Sequence, residues 1–189
     1  MKRLSFFLSI GFIVLFSNPT SAQDDGSQAK VGGIRAGWNY SQYFNDGNAL
    51  SGTSDYSSFY AGFYRDNKIA KILRFGTGVE YYQNASFTND NNKRVLHYIG
   101  VPLYLKVKLG PAFALSGFEP SFLVSEKYTA LGQEVDPVNK THWFDAPFFL
   151  GAGVNIARFT VELRYHWGTI DAFNGARSQY LQLGGAISF

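Results

Sequence analysis

From Val161 to Trp167 the chain reads Val-Glu-Leu-Arg-Tyr-His-Trp, with apolar or aromatic side chains at every odd position and Glu162, Arg164 and His166 between them. A period of two is the mark of a strand with two unlike faces. The alternation returns along most of the chain. Val95, Ile99, Val101, Leu103, Leu105, Val107 and Leu109 share one face of a segment whose other face carries Arg94, Tyr98, Gly100, Tyr104, Lys106 and Lys108. Phe144, Phe148, Leu150, Val154 and Ile156 stand against Asp145, Gly151, Gly153 and Asn155, and Leu181, Leu183, Ile187 and Phe189 against Gln182, Gly184 and Ser188. The pattern predicts eight strands, at about 31–44, 57–65, 71–84, 94–108, 112–125, 142–156, 159–168 and 179–189. No segment keeps a helical period.

The connections are sorted by length. Those around 66–70, 109–111 and 156–158 are short, and those at 45–56, 85–93, 126–141 and 169–178 are longer and polar. Short turns at one end and long loops at the other are the plan of an outer-membrane barrel, and an even strand number brings both termini to the turn end. Several strands exceed the five or six residues usual in soluble sheets and match the roughly 9–11 that a tilted membrane strand needs. The fold class expected is all-β, an eight-stranded antiparallel up-and-down transmembrane β-barrel. Its apolar faces then meet lipid and its charges are enclosed. Arg35, Arg74, Glu80, Lys106, Glu119, Glu162 and Arg164 are the expected lumen network, because enclosed charges of both signs must pair. The pattern of strand five is ambiguous, and Glu119 is placed inward because lipid would reject it.

Composition changes the picture in three ways. Aromatics make up 17% of the chain and charged residues only 16%, which favours strands. There is no Cys, which excludes disulfides, thiolate catalysis and Cys-based zinc sites. The start, "MKRLSFFLSIGFIVLFSNPTSAQ", has a basic n-region at Lys2 and Arg3, a short apolar stretch from Leu4 to Phe16, and a small-residue cleavage site at Thr20-Ser21-Ala22. Residues 1–22 are therefore expected to be a signal peptide, 23–30 a flexible segment and 31–189 the barrel domain. Without Lys2 and Arg3, 15 of the 17 basic residues remain against 14 acids, a net +1 instead of +3. The basicity belongs to export and points to no nucleic-acid partner.

Four blocks carry a family resemblance: "VGGIRAGWNYSQY", "FYAGFYRDNKIAKILRFGTGVEYYQ", "LHYIGVPLYLKVKLGPAFALSGFEPSFLVS" and "FFLGAGVNIARFTVELRYHWGTI". They resemble successive blocks of the PorT-like outer-membrane β-barrel family, over nearly all of the chain after the signal. The most telling is Tyr98 to Lys106, "YIGVPLYLK". It resembles that family's strand of a Tyr, an Ile-Pro or Val-Pro pair and a run of Leu ending in Lys. Where such proteins often carry an acid, this chain has Gly100. The resemblance implies an eight-stranded barrel of a Gram-negative outer membrane. Some relatives are associated with secretion, and no catalytic residue is implied.

Candidate chemistry is sparse. His97, His142 and His166 are the only histidines, and no His-x-Ser or Gly-x-Ser-x-Gly pattern accompanies them. His166 is expected to be a satisfied histidine near the outer rim. No spacing suggests a metal site or cofactor. An eight-stranded barrel encloses a space that side chains fill, which argues against large aqueous flux. The reading is a non-enzymatic anchor, interaction platform or secretion accessory. Its partners are outer-membrane lipid, the barrel assembly machinery, and a protein reached through the longest loop, where Tyr128, Leu131, Val135 and Val138 are the candidate contacts. Phe189, an aromatic terminus on an alternating strand, is the candidate assembly signal. The alternatives are a lipid-modifying enzyme of the outer membrane and a secreted soluble barrel that binds an apolar ligand inside.

Overall fold

The structure, a computed structural model, describes residues 30–45, 48–49, 53–88, 92–130, 133–135, 141–172 and 175–189. Eight long antiparallel strands form it. The first is Lys30–Asn45, the second Tyr56–Lys68 and the third Leu73–Thr88. The fourth runs as Asn92–Gly100 and Leu103–Leu109, the fifth as Ala112–Phe118 and Ser121–Ala130, and the sixth as Phe144–Asp145 and Phe148–Ile156. The seventh is Phe159–Trp167 and the eighth Arg177–Ser188. Each pairs with its chain neighbours, and the eighth pairs with the first from Gly33↔Ser188 to Phe44↔Arg177, so the sheet closes on itself. Closure leaves no unpaired edge, which a sheet in hydrocarbon requires.

The faces sort as the alternation predicts. Trp38, Phe63, Leu163 and Leu183 are exposed on the outside, while Arg35, Glu80, Glu162, Arg164 and Gln182 are buried inside. The fifth strand resolves in the same sense, with Glu119 fully buried and Phe118 exposed beside it. Its ambiguity has a cause: Phe113 and Leu115 point inward as part of an apolar cluster with Tyr104 and Phe149, so its inner face is not polar. A second inner cluster fills the loop end with Tyr43, Tyr60, Tyr82, Leu96, Tyr98, Ala172, Ala176 and Tyr180. The lumen is thus filled by two aromatic plugs and a charged layer that packs against both, with the Arg164 guanidinium over the rings of Tyr60 and Phe149.

Several strands run further than the pattern suggests. The second reaches Lys68, so Asp66 is strand and not turn. The third and fourth extend to Thr88 and from Asn92, paired Thr88↔Asn92, where a long loop is expected at 85–93. The fifth continues to Ala130, and Gln133–Glu134 folds back onto Thr129 and Ala130. Polar residues sustain these extensions because outside the bilayer a ladder needs no apolar face.

Candidate functional site

The charged layer is a single cluster from three strands, the first, third and seventh. Arg164 binds Glu80 through two parallel hydrogen bonds, Nη1 to Oε1 and Nη2 to Oε2, both 2.9 Å. Arg35 Nε lies 2.6 Å from Glu80 Oε1, and Arg35 Nη1 donates to Glu162 Oε1 at 3.4 Å. Arg164 Nε stands 3.4 Å from the same Glu162 oxygen. Two cations and two anions therefore balance in a site from which water is excluded, which is the condition for such charges to be tolerated. The guanidinium of Arg164 also lies over the Tyr60 ring, 5.1 Å from its centroid, and that of Arg35 over Tyr64 at 5.3 Å.

Glycines make the room. A side chain at Gly184 would collide with the Tyr60 hydroxyl, and one at Gly100 with the Glu119 carboxylate. The second pair bears on the sequence, because position 100 is where the resemblance led one to look for an acid. The acid is supplied from the neighbouring strand, and Gly100 is the space it occupies.

Of the seven residues expected in the network, Arg35, Glu80, Glu162 and Arg164 meet. The other three do not join them. Glu119 Oε2 lies 3.3 Å from His166 Nδ1. Lys106 Nζ lies 2.6 Å from Asp66 Oδ2, and the Tyr104 hydroxyl donates to Asp66 Oδ1 at 2.7 Å. Arg74 stands directly opposite Lys106 in the register and makes no ion pair among the described residues. Its expected membership of the network is corrected on that ground: its neighbour is a like charge.

His166 is not at the rim. It is fully buried, stacked on Tyr180 with ring centroids 4.2 Å apart and on Phe149 at 4.8 Å. Tyr128 is not a loop residue. It lies in the fifth strand opposite Arg94, because the ladder runs past Glu126, which binds Arg94. Val135 is exposed, and its N–H donates to the Tyr128 carbonyl at 3.0 Å. Leu131 and Val138 lie outside the described residues. Phe189 is exposed at the turn end, and its N–H donates to the Gly32 carbonyl at 2.9 Å.

Sequence reasoning assigned Asp66 to a turn, and it set Gln182 on the inner face without adding it to the network, where it is fully buried beside Arg164 and Asn39 in the register. The period-two rule extended by one residue would have found Asp66, since it shares parity with Tyr60 and Tyr64. Among the described residues no group of acidic and histidine side chains could hold a metal.

A closed barrel with lipid-compatible residues outside and paired charges inside is an integral membrane barrel. The family model described as outer membrane protein beta-barrel domain matches residues 2–174, and the chain belongs to that family. Its place is the outer membrane. Solved structures agree on the fold. Neisserial surface protein A is 15% identical with a TM-score of 0.56, covering 87% of this chain and 100% of its own. Ail of Yersinia pestis, in complex with the heparin analogue sucrose octasulfate, is 12% identical with a TM-score of 0.53, covering 85% and 99%. OprG from Pseudomonas aeruginosa is 12% identical with a TM-score of 0.51, covering 85% and 96%. No curated protein matches the chain.

Proposed function

We propose that this protein is a non-enzymatic outer-membrane barrel of the PorT-like kind, exported with a cleaved signal peptide, and that it works as an anchor, interaction platform or secretion accessory through its loop end. The observation that carries the reading is the blocked lumen. Both plugs and the charged layer consist of fully buried side chains, including Tyr60, Phe149, Tyr180 and Arg164. A barrel so filled offers no aqueous route, and its accessible surface lies at the ends. The loop end faces the cell exterior in barrels of this plan.

The chemistry of the interior speaks against the enzyme alternative. A lipid hydrolase or acyl transferase needs a nucleophile and base open to the bilayer. His166 is shut between two rings, with Glu119 as its neighbour. The soluble-barrel alternative requires the apolar face inside, and Leu163, Leu183 and Trp38 are outside. A photo-crosslinker at Val135 should give a discrete protein adduct on intact cells, while one at lipid-facing Leu163 gives none. Planar-bilayer conductance should stay at baseline. A steady open-pore conductance, or an altered lipid acylation pattern that tracks His166→Ala, would overturn the reading. The assembly role of Phe189 predicts that its deletion lowers folded yield in cells far more than urea stability after refolding. Equal, small effects would refute it.

A further inference from the structure

The charges of the middle layer balance, and among the described residues those on one wall of the turn end do not. There the second, third and fourth strands place Lys68, Arg74 and Lys106 directly opposite one another, in the pairs Lys68↔Arg74 and Arg74↔Lys106. Partners in a register share a face, and Lys106 is buried inside, so all three line the inner wall. Lys108, two residues on in the same strand, shares that face. Among the described residues Asp66 is the one acid on this stretch of wall, and Lys106 and Tyr104 already hold it. Arg74 and Lys108 remain beside that filled carboxylate. Like charges directly opposite across a ladder destabilise the pair. Moreover, Arg74 Nη1 is buried with no hydrogen-bond partner, and a buried charged donor left unmade is costly.

We infer that this mouth is an anion site, in which Arg74 and Lys108, backed by Lys106, hold a phosphate-type oxyanion. The inference is independent of the loop-end reading. A cleft lined by one sign of charge between low-dielectric walls concentrates counter-ions, and the guanidinium of Arg74 offers the forked donors that phosphate oxygens accept. A tetrahedral oxyanion satisfies the orphaned Nη1 and removes the repulsion along the row in one step. Two sources carry that chemistry at the turn end, a phospholipid headgroup of the adjacent leaflet and a soluble phosphate compound.

The test uses the full mature chain refolded in dodecyl maltoside, a detergent without phosphate, titrated calorimetrically with inorganic pyrophosphate at constant ionic strength. One saturable site is expected. Arg74→Gln and Lys108→Gln should each weaken it at least tenfold, with folding checked by heat-modifiable migration. Arg158→Gln, a cation in the turn between the sixth and seventh strands, should leave it unchanged. Phosphatidylglycerol added to the micelles separates the sources. Loss of pyrophosphate binding assigns the site to the headgroup, and undiminished binding assigns it to a soluble ligand. Absence of saturable binding by the unaltered protein overturns the inference. So does an equal loss in all three variants, which would show diffuse attraction and no site.

Discussion

The barrel has two unlike walls. Where the seventh, eighth, first, second and third strands pair, the ladder is unbroken from Phe159↔Ile187 to Trp167↔Gln179, from Gly33↔Ser188 to Phe44↔Arg177, from Lys30↔Asn67 to Ser41↔Tyr56 and from Tyr60↔Tyr82 to Lys68↔Arg74. No proline lies in these strands. The fourth, fifth and sixth strands are each interrupted by one, at Pro102, Pro120 and Pro147. The three interruptions line up. Val101 N–H donates to the Pro120 carbonyl at 2.8 Å, and Glu119 N–H to the Pro147 carbonyl at 2.9 Å. An antiparallel pair ordinarily returns such a bond, and proline has no N–H to return. Side chains substitute on this wall: Ser121 Oγ donates to the Glu119 carbonyl at 2.7 Å, and Thr169 Oγ1 to the Ala146 carbonyl at 2.9 Å. A bulge between His97 and Tyr98 irregularises the same region. The difference shows two ways of keeping a backbone satisfied in lipid. One wall does it by ladder alone, and the other by ladder patched with hydroxyls.

The charges follow the same division, and the largest expected effect tests it. Glu80 serves both Arg35 and Arg164, so Glu80→Ala leaves two buried guanidinium groups to Glu162. Breaking a buried pair in this way costs about 3–5 kcal/mol. Glu119, on the interrupted wall, faces an imidazole that needs no counter-charge when neutral. Glu119→Gln should cost about 1–3 kcal/mol, the scale of one compromised polar contact. Urea unfolding of refolded protein in micelles measures both. Equal costs would mean that the two carboxylates do the same job and that the division between the walls is not electrostatic.

The outer surface of the continuous wall gives the next effect. Leu163 lies between Glu162 and Arg164 in sequence and opposite Leu183 and Ala152 in the sheet, which sets it at the height of the charged layer. Leu163→Arg should cost about 2–4 kcal/mol if lipid covers it at mid-depth. A cost below about 1 kcal/mol in lipid vesicles would place that face in water, and the charged face with it.

What the sequence made legible follows from which features are local. The two-residue period along Val161–Trp167 or Leu181–Phe189 is a property of one strand, so the strands, their faces and the inward charges Arg35, Glu80, Glu162 and Arg164 could all be read. The proline line is a property of three strands in one register. Pro102, Pro120 and Pro147 each look like an isolated blemish until pairing places them side by side. The same holds for Gly100 and Glu119, which are separated along the chain and joined in the sheet. Tyr128 was misplaced because polar composition marks solvent, and a ladder can continue into solvent. Arg74 was assigned a partner because its face was known and its neighbour Lys106 was not.

The hydroxyl patch predicts a smaller effect. Ser121→Ala removes the donor to the Glu119 carbonyl and leaves a buried acceptor unsatisfied, at about 1–3 kcal/mol. Ser57→Ala, on the continuous wall, removes a hydroxyl that meets the exposed Trp38 indole and no ladder carbonyl. It should cost less than about 0.5 kcal/mol, as surface substitutions do. If the two serines prove equivalent, the missing ladder bonds carry no energetic consequence and the walls differ in geometry only.

The smallest effect comes from repairing the interrupted wall. Pro120→Ala restores an N–H at the position that receives the Val101 donation, so the return bond to the Val101 carbonyl becomes available. A restored backbone bond contributes about 0.5–1.5 kcal/mol. Against it, losing proline loosens the unfolded chain by about 0.4–1 kcal/mol. The two nearly cancel, and global urea stability should move by less than about 1 kcal/mol. Local behaviour should change more visibly. Hydrogen exchange in micelles reports opening of individual ladder segments. In the unaltered protein the amides of Val101, Glu119 and Phe148 should exchange faster than those of Trp38 and Leu183 on the continuous wall. Pro120→Ala should slow Val101 and Glu119 and leave Trp38 and Leu183 as they were. Pro120→Gly, which restores the same N–H but adds backbone freedom, should slow them less. Unchanged exchange at 101 and 119 in the alanine variant would show that the proline line is a passive bend in a wall already as firm as its opposite.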